Sequence, residues 1–207
     1  MHKDSRMKLS NALKPGRGWS LLRAAALGAF VLASSSAAAS DGSQRKVERY
    51  DVKASGMNAG AARTVVMASD AVVRSVVTDF AHYDSFISKF KSAKIVGKVG
   101  DKTDVYLQVP IINGAVKIWA IVRFEPLKQV GQDQILVGKM VKGNVKRLDA
   151  SWRLHRLDDR STELRLELLI VPDLPVPEAV VLPEVRYAAA KAVGGTRDEA
   201  ERRAVKR

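Results

Sequence analysis

Cysteine is absent from the sequence of 207 residues, and histidine is scarce, with three residues. The lack of cysteine excludes disulfide bonds, thiol catalysis and cysteine-ligated metal sites. The sequence also lacks the motifs of nucleophilic hydrolases, zinc proteases, phosphate-binding loops and dinucleotide-binding turns. We therefore expect no catalytic residue of these classes, no metal ion and no cofactor.

Apolar runs are short, and the most informative one lies near the N-terminus. Ala24–Ala33 follows a basic leader and precedes the small-residue run Ser34–Ser40. This order is typical of a secretory signal peptide with cleavage after Ala39. We expect residues 1–39 to be removed and the mature protein to be exported, to the periplasm or outside the cell. An uncleaved membrane anchor is the alternative, although the apolar run is short for a bilayer span.

The two histidines beyond this leader do not predict a catalytic site. His155 falls on the polar side of an alternating strand, which favours a solvated surface position. His82 lies between Asp79 and Asp84, a combination of residue types that also occurs in metal sites. Capping and turn roles are the favoured interpretation for these aspartates, because short polar side chains commonly bond the backbone at helix ends.

Basic residues outnumber acidic ones, 35 to 22, which gives a formal net charge of +13. Removal of residues 1–39 takes away six basic residues and one acidic residue, so the mature chain keeps a charge of +8. Its basic residues are scattered and lack interleaved aromatic residues, so we expect no nucleic-acid partner. Weak contact with an anionic membrane surface is favoured instead. One basic cluster is either a solvated turn or a site for lipid headgroups or an anionic ligand; it comprises Lys139, Lys142, Lys146 and Arg147.

The first half of the mature chain predicts two helices after weak strands. Residues 40–62 carry only a faint edge-strand pattern followed by a loop or bulge at Gly56–Ala62. Arg63–Ser69 is rich in β-branched residues and ends in small polar ones, which predicts a clearer strand. Apolar residues recur at helical spacing from Val72 to Phe80, and a second short helix is predicted over Ala81–Phe90.

From Asp104 onward the hydrophobic period changes from about 3.6 residues to two. Five alternating segments predict an antiparallel meander with one buried and one solvated face, with a tight turn at Asn113-Gly114 and with Trp119 on the outer face. The chain ends in a helical composition over Glu178–Lys206, which Gly194-Gly195 should bend or interrupt. We therefore predict an α+β fold whose helices cover the apolar face of a curved sheet.

Three stretches of the sequence occur in an informative order. Residues 68–87 contain the pattern V-x-x-V-x-x-D-F-x-x-Y-x-x-F, from Val73 to Phe86. Residues 151–170 have the form of a closing β-hairpin, and a proline-rich joint then leads to the terminal helix; its prolines are Pro172, Pro175, Pro177 and Pro183. Over residues 63–203 this order resembles the START-like superfamily, also called SRPBCC, and in particular its polyketide cyclase/dehydrase and coenzyme-Q-binding-like branch.

The resemblance implies a helix-grip fold, in which a curved antiparallel sheet wraps around a long C-terminal helix and encloses a cavity. Residues 63–207 would form this domain as a monomer. Its ligand would be a hydrophobic small molecule such as a lipid, an isoprenoid quinone or a polyketide-like compound. We expect a non-enzymatic binding or carrier protein. A cyclase or aromatase using the same cavity, and an accessory protein with a filled core, are the alternatives.

The resemblance and the alternation together predict which residues line the cavity. We expect the ligand to contact Val105, Leu107, Val109, Val116, Ile118, Ala120, Val122, Phe124, Trp152, Leu164, Leu166, Leu168, Val185 and Ala189. The prolines would fix the angle at which the helix returns over the sheet. The small residues of the helix would leave room beneath it, unless they mark a tightly packed core.

Overall fold

The computed structural model describes residues 46–111, 116–173 and 175–206. Two expectations therefore lie outside the described residues, the signal peptide over residues 1–39 and the tight turn at Asn113-Gly114. The described residues form nine strands, two short helices and one long helix.

The strands are β1 (Glu48–Ala54), β2 (Met57–Val66), β3 (Ser92–Val99), β4 (Lys102–Ile111), β5 (Val116–Phe124), β6 (Lys128–Val130), β7 (Asp133–Gly143), β8 (Val145–Arg156) and β9 (Thr162–Pro172). The helices are α1 (Asp70–Val77), α2 (Tyr83–Phe86) and α3 (Glu178–Val205), with a 3₁₀ turn over Phe80–His82 before α2.

All nine strands belong to one antiparallel sheet in the order β1-β2-β9-β8-β7-β5-β4-β3, with the short β6 paired to β7. The strands from β3 to β9 form a meander, and β2 pairs with β9, so the N-terminal hairpin extends one edge of that meander. The sheet is curved, and α3 packs across it against β2 and β9. The predicted α+β class, with helices covering a curved antiparallel sheet, is confirmed.

The N-terminal hairpin is regular, and the loop or bulge predicted at Gly56–Ala62 is wrong. Ser55 and Gly56 have positive φ values of 50° and 79°, which form a tight turn. β2 therefore starts directly after this turn and pairs with β1 from Met57 to Arg63. Small residues occupy β2 because α3 crosses it closely: a Cβ on Gly60 would lie 2.6 Å from the backbone nitrogen of Arg186.

Sequence alternation does not predict two of the strands, β3 and β6. β3 is an edge strand with a register shift between Ile95 and Gly97, and its Ile95, Val96 and Val99 side chains are exposed. β6 consists of three exposed residues and pairs with β7. Neither strand buries a continuous face, which is why the two-residue period does not reveal them.

The valine-rich segment forms α1 as predicted, and its helical face is buried at Val72, Val73, Val76 and Val77. The helix ends at Val77, so Asp79 lies in the turn that follows it. Phe80 then stacks on Phe124 of β5, with the ring centroids 4.5 Å apart. This stretch therefore joins the helices to the inner face of the sheet.

The long helix α3 is continuous, so the interruption expected at Gly194-Gly195 is wrong, while the bend stays a prediction. Gly195 serves close packing instead, since a Cβ there would overlap the backbone carbonyl oxygen of Phe86 in α2. Pro183 lies inside the helix, where its missing N–H removes one helical hydrogen bond without ending the helix. None of the described helices combines the length and apolar character needed to cross a membrane.

Candidate functional site: a cavity beneath the C-terminal helix

A cavity of about 380 Å³ lies between the inner face of the sheet and α3. Its walls also include the segment around α2 and the N-terminal half of α3. The sheet contributes apolar side chains to the wall: Leu107, Val109, Ile118, Ala120, Val122, Phe124, Val145, Leu148, Ala150, Trp152, Leu166, Leu168 and Ile170. Such an apolar lining favours hydrophobic small molecules.

One end of the cavity is closed and the other is open. On the paired strands β8 and β9, Trp152 and Leu166 lie opposite each other and are 2% and 4% exposed. Further along the same strands Leu148 lies opposite Ile170, which is only partly buried. At the start of α3, Val180 is 51% exposed. The cavity therefore runs from a closed end at Trp152 to an open end beside the start of α3.

Two polar side chains occur at the closed end among the described residues, Tyr83 and Trp152. The buried Tyr83 hydroxyl donates a hydrogen bond to the backbone carbonyl oxygen of Val77. Burial raises the pKa of Tyr83 far above its usual value; the Asp79 carboxylate acts in the same direction, and a hydrogen bond with Trp152 opposes it only in part. Tyr83 is therefore a neutral structural group, poorly suited to proton transfer.

The charged and amide side chains of the described lining lie at the open end; they are Lys89, Asn144, Asp173 and Glu184. The Asn144 amide is held by backbone groups of β5. The Lys89 ammonium lies 4.6 Å from the centre of the Tyr187 ring, and the Asp173 carboxylate lies 3.8 Å from the Lys146 ammonium. Polar groups thus surround the opening, while the interior is apolar.

A charged cluster ties the C-terminal end of α3 to the turn after α1. Arg203 donates hydrogen bonds of 2.6 Å to Asp79 and to Glu199, and Arg202 also donates to Glu199. Burial alone would raise the pKa of the Asp79 and Glu199 carboxyl groups. Hydrogen bonds from the arginines outweigh burial and lower both pKa values. His82, 2.6 Å from Asp79, lowers the pKa of Asp79 further. The ionised cluster holds this end of the helix in place.

Most residues predicted to contact ligand do lie on the cavity wall; these are Leu107, Val109, Ile118, Ala120, Val122, Phe124, Trp152, Leu166, Leu168 and Val185. Val105, Leu164 and Ala189 do not line the cavity, and they are buried in the packed core. Val105 and Leu164 continue the inner faces of β4 and β9 past the closed end, and Ala189 lies one residue round the helix from the cavity-facing Ala188. The side chain of Val116 lies outside the described residues.

Sequence alternation misses the helical and irregular parts of the lining. Tyr83, Ile87 and Phe90 form the wall around α2. Their helical spacing indicates a buried face, but it does not distinguish a cavity wall from a packed core. Val176 and Val180 border the open end from the proline-rich joint and the start of α3. That joint has no hydrophobic period from which its orientation could be predicted.

The two histidines of the described chain are partners of carboxylates. His155 lies 2.7 Å from Asp133, and His82 lies beside Asp79. Within residues 46–111, 116–173 and 175–206 there is no group of three or more side chains that could hold a metal ion. Asp79 lies in a turn, as favoured from the sequence, but its side chain makes no cap hydrogen bond and contacts Arg203 and His82 instead. The Asp84 carboxylate accepts a hydrogen bond from the backbone N–H of Ala93 and not from a helix end.

A family model described as polyketide cyclase / dehydrase and lipid transport matches residues 66–193. The match spans more than half of the chain and includes every described residue that lines the cavity. The chain belongs to this family. The START-like resemblance drawn from the helix pattern, the closing hairpin and the terminal helix is thereby confirmed.

Solved structures share this fold at low sequence identity. The STAR-related lipid transfer protein of Xanthomonas axonopodis has a TM-score of 0.63 at 12% identity, covering 74% of this chain and 93% of that chain. The Zhui aromatase/cyclase of Streptomyces sp. R1128 has a TM-score of 0.59 at 15% identity, covering 76% and 96%. A START superfamily protein of Mycobacterium smegmatis has a TM-score of 0.54 at 20% identity, covering 70% and 96%. These likenesses establish the helix-grip fold, and a comparison with curated proteins gives no match.

Proposed function

We propose that the mature chain binds a hydrophobic small molecule in this cavity and carries it without chemical change. The observation that supports this function is the apolar cavity of about 380 Å³, whose described charged side chains lie only at the open end. The family description includes lipid transport, and the structural neighbour from Xanthomonas axonopodis is a lipid transfer protein. Lipids, isoprenoid quinones and polyketide-like compounds share the apolar character that the lining requires.

A cyclase or aromatase is the second candidate, supported by the family description and by the fold shared with an aromatase/cyclase. Such an enzyme needs a proton donor or acceptor beside the buried part of its substrate. Tyr83 is the titratable group at the closed end among the described residues, but its hydroxyl bonds to Val77 and burial raises its pKa. The carrier function is therefore the better supported of the two.

We propose that residues 1–39 direct export and are then removed. The basic leader, the short apolar run and the small residues before Ser40 support this proposal. N-terminal sequencing of the protein from its native host should give a chain that begins at Ser40. An intact Met1 in protein from the cytoplasmic fraction would contradict export.

The basic cluster supports a weak contact between a monomeric carrier and an anionic membrane. Lys139 and Lys142 are exposed on β7, and the exposed Val141 lies between them. Lys146 reaches Asp173 at the open end of the cavity. Lys146 therefore lies beside the opening through which a ligand would pass, and the exposed Lys139 and Lys142 would be attracted to anionic headgroups.

Ala188→Leu tests the proposed binding directly. Ala188 lines the cavity from α3, so a leucine there would project into the volume that a ligand needs. We expect native mass spectrometry to detect a co-purified lipid on the wild-type protein. The variant should carry roughly tenfold less, because forcing a ligand into a filled site costs about 1–3 kcal/mol.

Ala179→Leu is the matched control for this experiment. Ala179 is exposed on the first turn of the same helix and does not line the cavity. The control variant should keep the occupancy of the wild-type protein. A wild-type protein that is empty after purification and takes up no added lipid would contradict the carrier function.

A further inference from the structure

We propose that the ligand lies in the cavity with its apolar end at the closed end and its polar head at the open end, and that it is an uncharged amphiphile with a single apolar tail or ring system. This inference rests on the proposed binding function and adds the orientation and chemical class of the ligand. It follows from three features of the described residues: the hydrogen bonding of the closed end, the charges at the open end, and the volume between them.

The closed end offers no free partner to a polar head group. Buried side-chain polar atoms without a hydrogen-bond partner occur in the described chain, but none belongs to the cavity wall; they are on Tyr50, Gln134, Arg165 and Thr196. The Tyr83 hydroxyl donates to the carbonyl oxygen of Val77 and also interacts with the Trp152 side chain. A head group placed there would lose its water and gain no partner, which is costly.

The open end provides both water and charged partners. Lys89, Asp173 and Glu184 border the cavity there, and each is at least partly exposed. A head group at this position keeps part of its hydration and can donate to a carboxylate or accept from the ammonium group. Lys146 pairs with Asp173, so two ammonium groups balance the two carboxylates and no net charge at the open end favours a charged head. An uncharged head with hydroxyl groups can donate a hydrogen bond to a carboxylate and accept one from an ammonium group.

The volume of the cavity limits the apolar part of the ligand. About 380 Å³ lies near the lower end of the roughly 300–1,000 Å³ typical of small-molecule sites. The side chains at the closed end are large and fully buried, so this end does not widen into a second channel among the described residues. One chain or ring system therefore fits better than the two acyl chains of a phospholipid.

Quenching of tryptophan fluorescence by bromine measures the orientation, because Trp152 lies at the closed end. The Trp119→Phe variant without residues 1–39 keeps Trp152 as its sole tryptophan, since Trp19 lies in the removed segment. The probes are two monoacylglycerols, one brominated near the end of its tail and one brominated next to its head. At equal occupancy, measured by native mass spectrometry, we expect the tail-brominated probe to quench Trp152 several-fold more strongly.

The Trp152→Phe variant is the matched control for this measurement. It keeps Trp119, which lies on the outer face of β5 and stacks on Tyr106 with the ring centroids 6.2 Å apart. Neither probe should quench Trp119 selectively, because the sheet separates it from the cavity. A third probe, a monoacylglycerol with a hydroxyl at the end of its tail, should bind about tenfold more weakly, since that hydroxyl would be buried without a partner.

The outcomes separate this inference from the function on which it rests. Stronger or equal quenching by the head-brominated probe overturns the orientation, although the protein still binds lipid. Failure of both probes to bind, while a two-tailed lipid co-purifies, overturns the single-tailed class and leaves the carrier function intact. Failure to bind any lipid overturns both.

Discussion

At the residue scale, two adjacent alanines of α3 have different surroundings. Ala188 lines the cavity and is partly exposed, whereas Ala189 is fully buried against the core. Adjacent residues of a helix point in different directions, so one step along α3 separates free volume from packed side chains. The sequence does not distinguish the two positions, because both belong to the same run of small residues.

This difference predicts opposite results for the same substitution. Ala189→Leu should lower the free energy of unfolding by about 1–3 kcal/mol, because its extra atoms enter a filled core. Ala188→Leu should leave the free energy of unfolding nearly unchanged, because its side chain enters the cavity. Chemical denaturation of the ligand-free proteins measures both values. Equal effects of the two substitutions would show that the cavity does not lie beneath Ala188.

At the element scale, the regular periods predict the parts of the fold that bury one continuous face. The spacing of the valines predicts α1, and the alternation of apolar and polar residues predicts the inner faces of β4, β5, β8 and β9. The strand predicted over Arg63–Ser69 covers only the end of β2, and the small residues of its first part reflect contact with α3 rather than a loop. Such contacts join residues far apart in the chain, so no local pattern reveals them. The same holds for the open end of the site, where the lining comes from the irregular proline-rich joint.

The glycine pair of α3 gives a second test at this scale, because its two members differ in their neighbours. A Cβ on Gly194 would make only an ordinary contact, 3.7 Å from Val47, so Gly194→Ala should stabilise the protein by about 0.5–1 kcal/mol through helix propensity. A Cβ on Gly195 would overlap the carbonyl oxygen of Phe86, so Gly195→Ala should be destabilising. Thermal and chemical unfolding should both show stabilisation by Gly194→Ala and destabilisation by Gly195→Ala. Stabilisation by both substitutions would contradict the close approach of α2 and α3.

At the scale of the whole molecule, the two ends of α3 are held in different ways. Its C-terminal part packs closely on α2 and carries the ionised cluster of Asp79, Glu199, Arg202 and Arg203. Its N-terminal part follows the proline-rich joint and borders the open end of the cavity. The ionised cluster therefore lies away from the opening, where it does not obstruct a ligand.

Because of this charged cluster, the free energy of unfolding should depend on pH. The folded-state pKa values of Asp79 and Glu199 are lowered. The two carboxylates therefore stabilise the fold above their ordinary pKa values, and this stabilisation is lost as the pH falls through the lowered values. Asp79→Asn should reduce the free energy of unfolding by roughly 1–2 kcal/mol at neutral pH. It should also weaken the loss of stability as the pH falls below the ordinary pKa of a carboxyl group, about 4.

Denaturation at a series of pH values measures this change. Asp101→Asn is the matched control, because Asp101 is exposed in the turn between β3 and β4. The control should keep both the stability and the pH dependence of the wild-type protein. If Asp79→Asn shows the same pH dependence as the wild-type protein, the cluster does not contribute to acid sensitivity.

The pairing of β2 with β9 also has a consequence for the time at which the chain folds. Gly60 lies opposite Leu168, so the sheet is completed by strands from near the two ends of the described chain. The ribosome must release almost the whole polypeptide before this pairing forms, and contacts between distant parts of a chain form slowly. Until then the fold is incomplete, which would suit the export proposed above, because a general secretory channel accepts unfolded cargo.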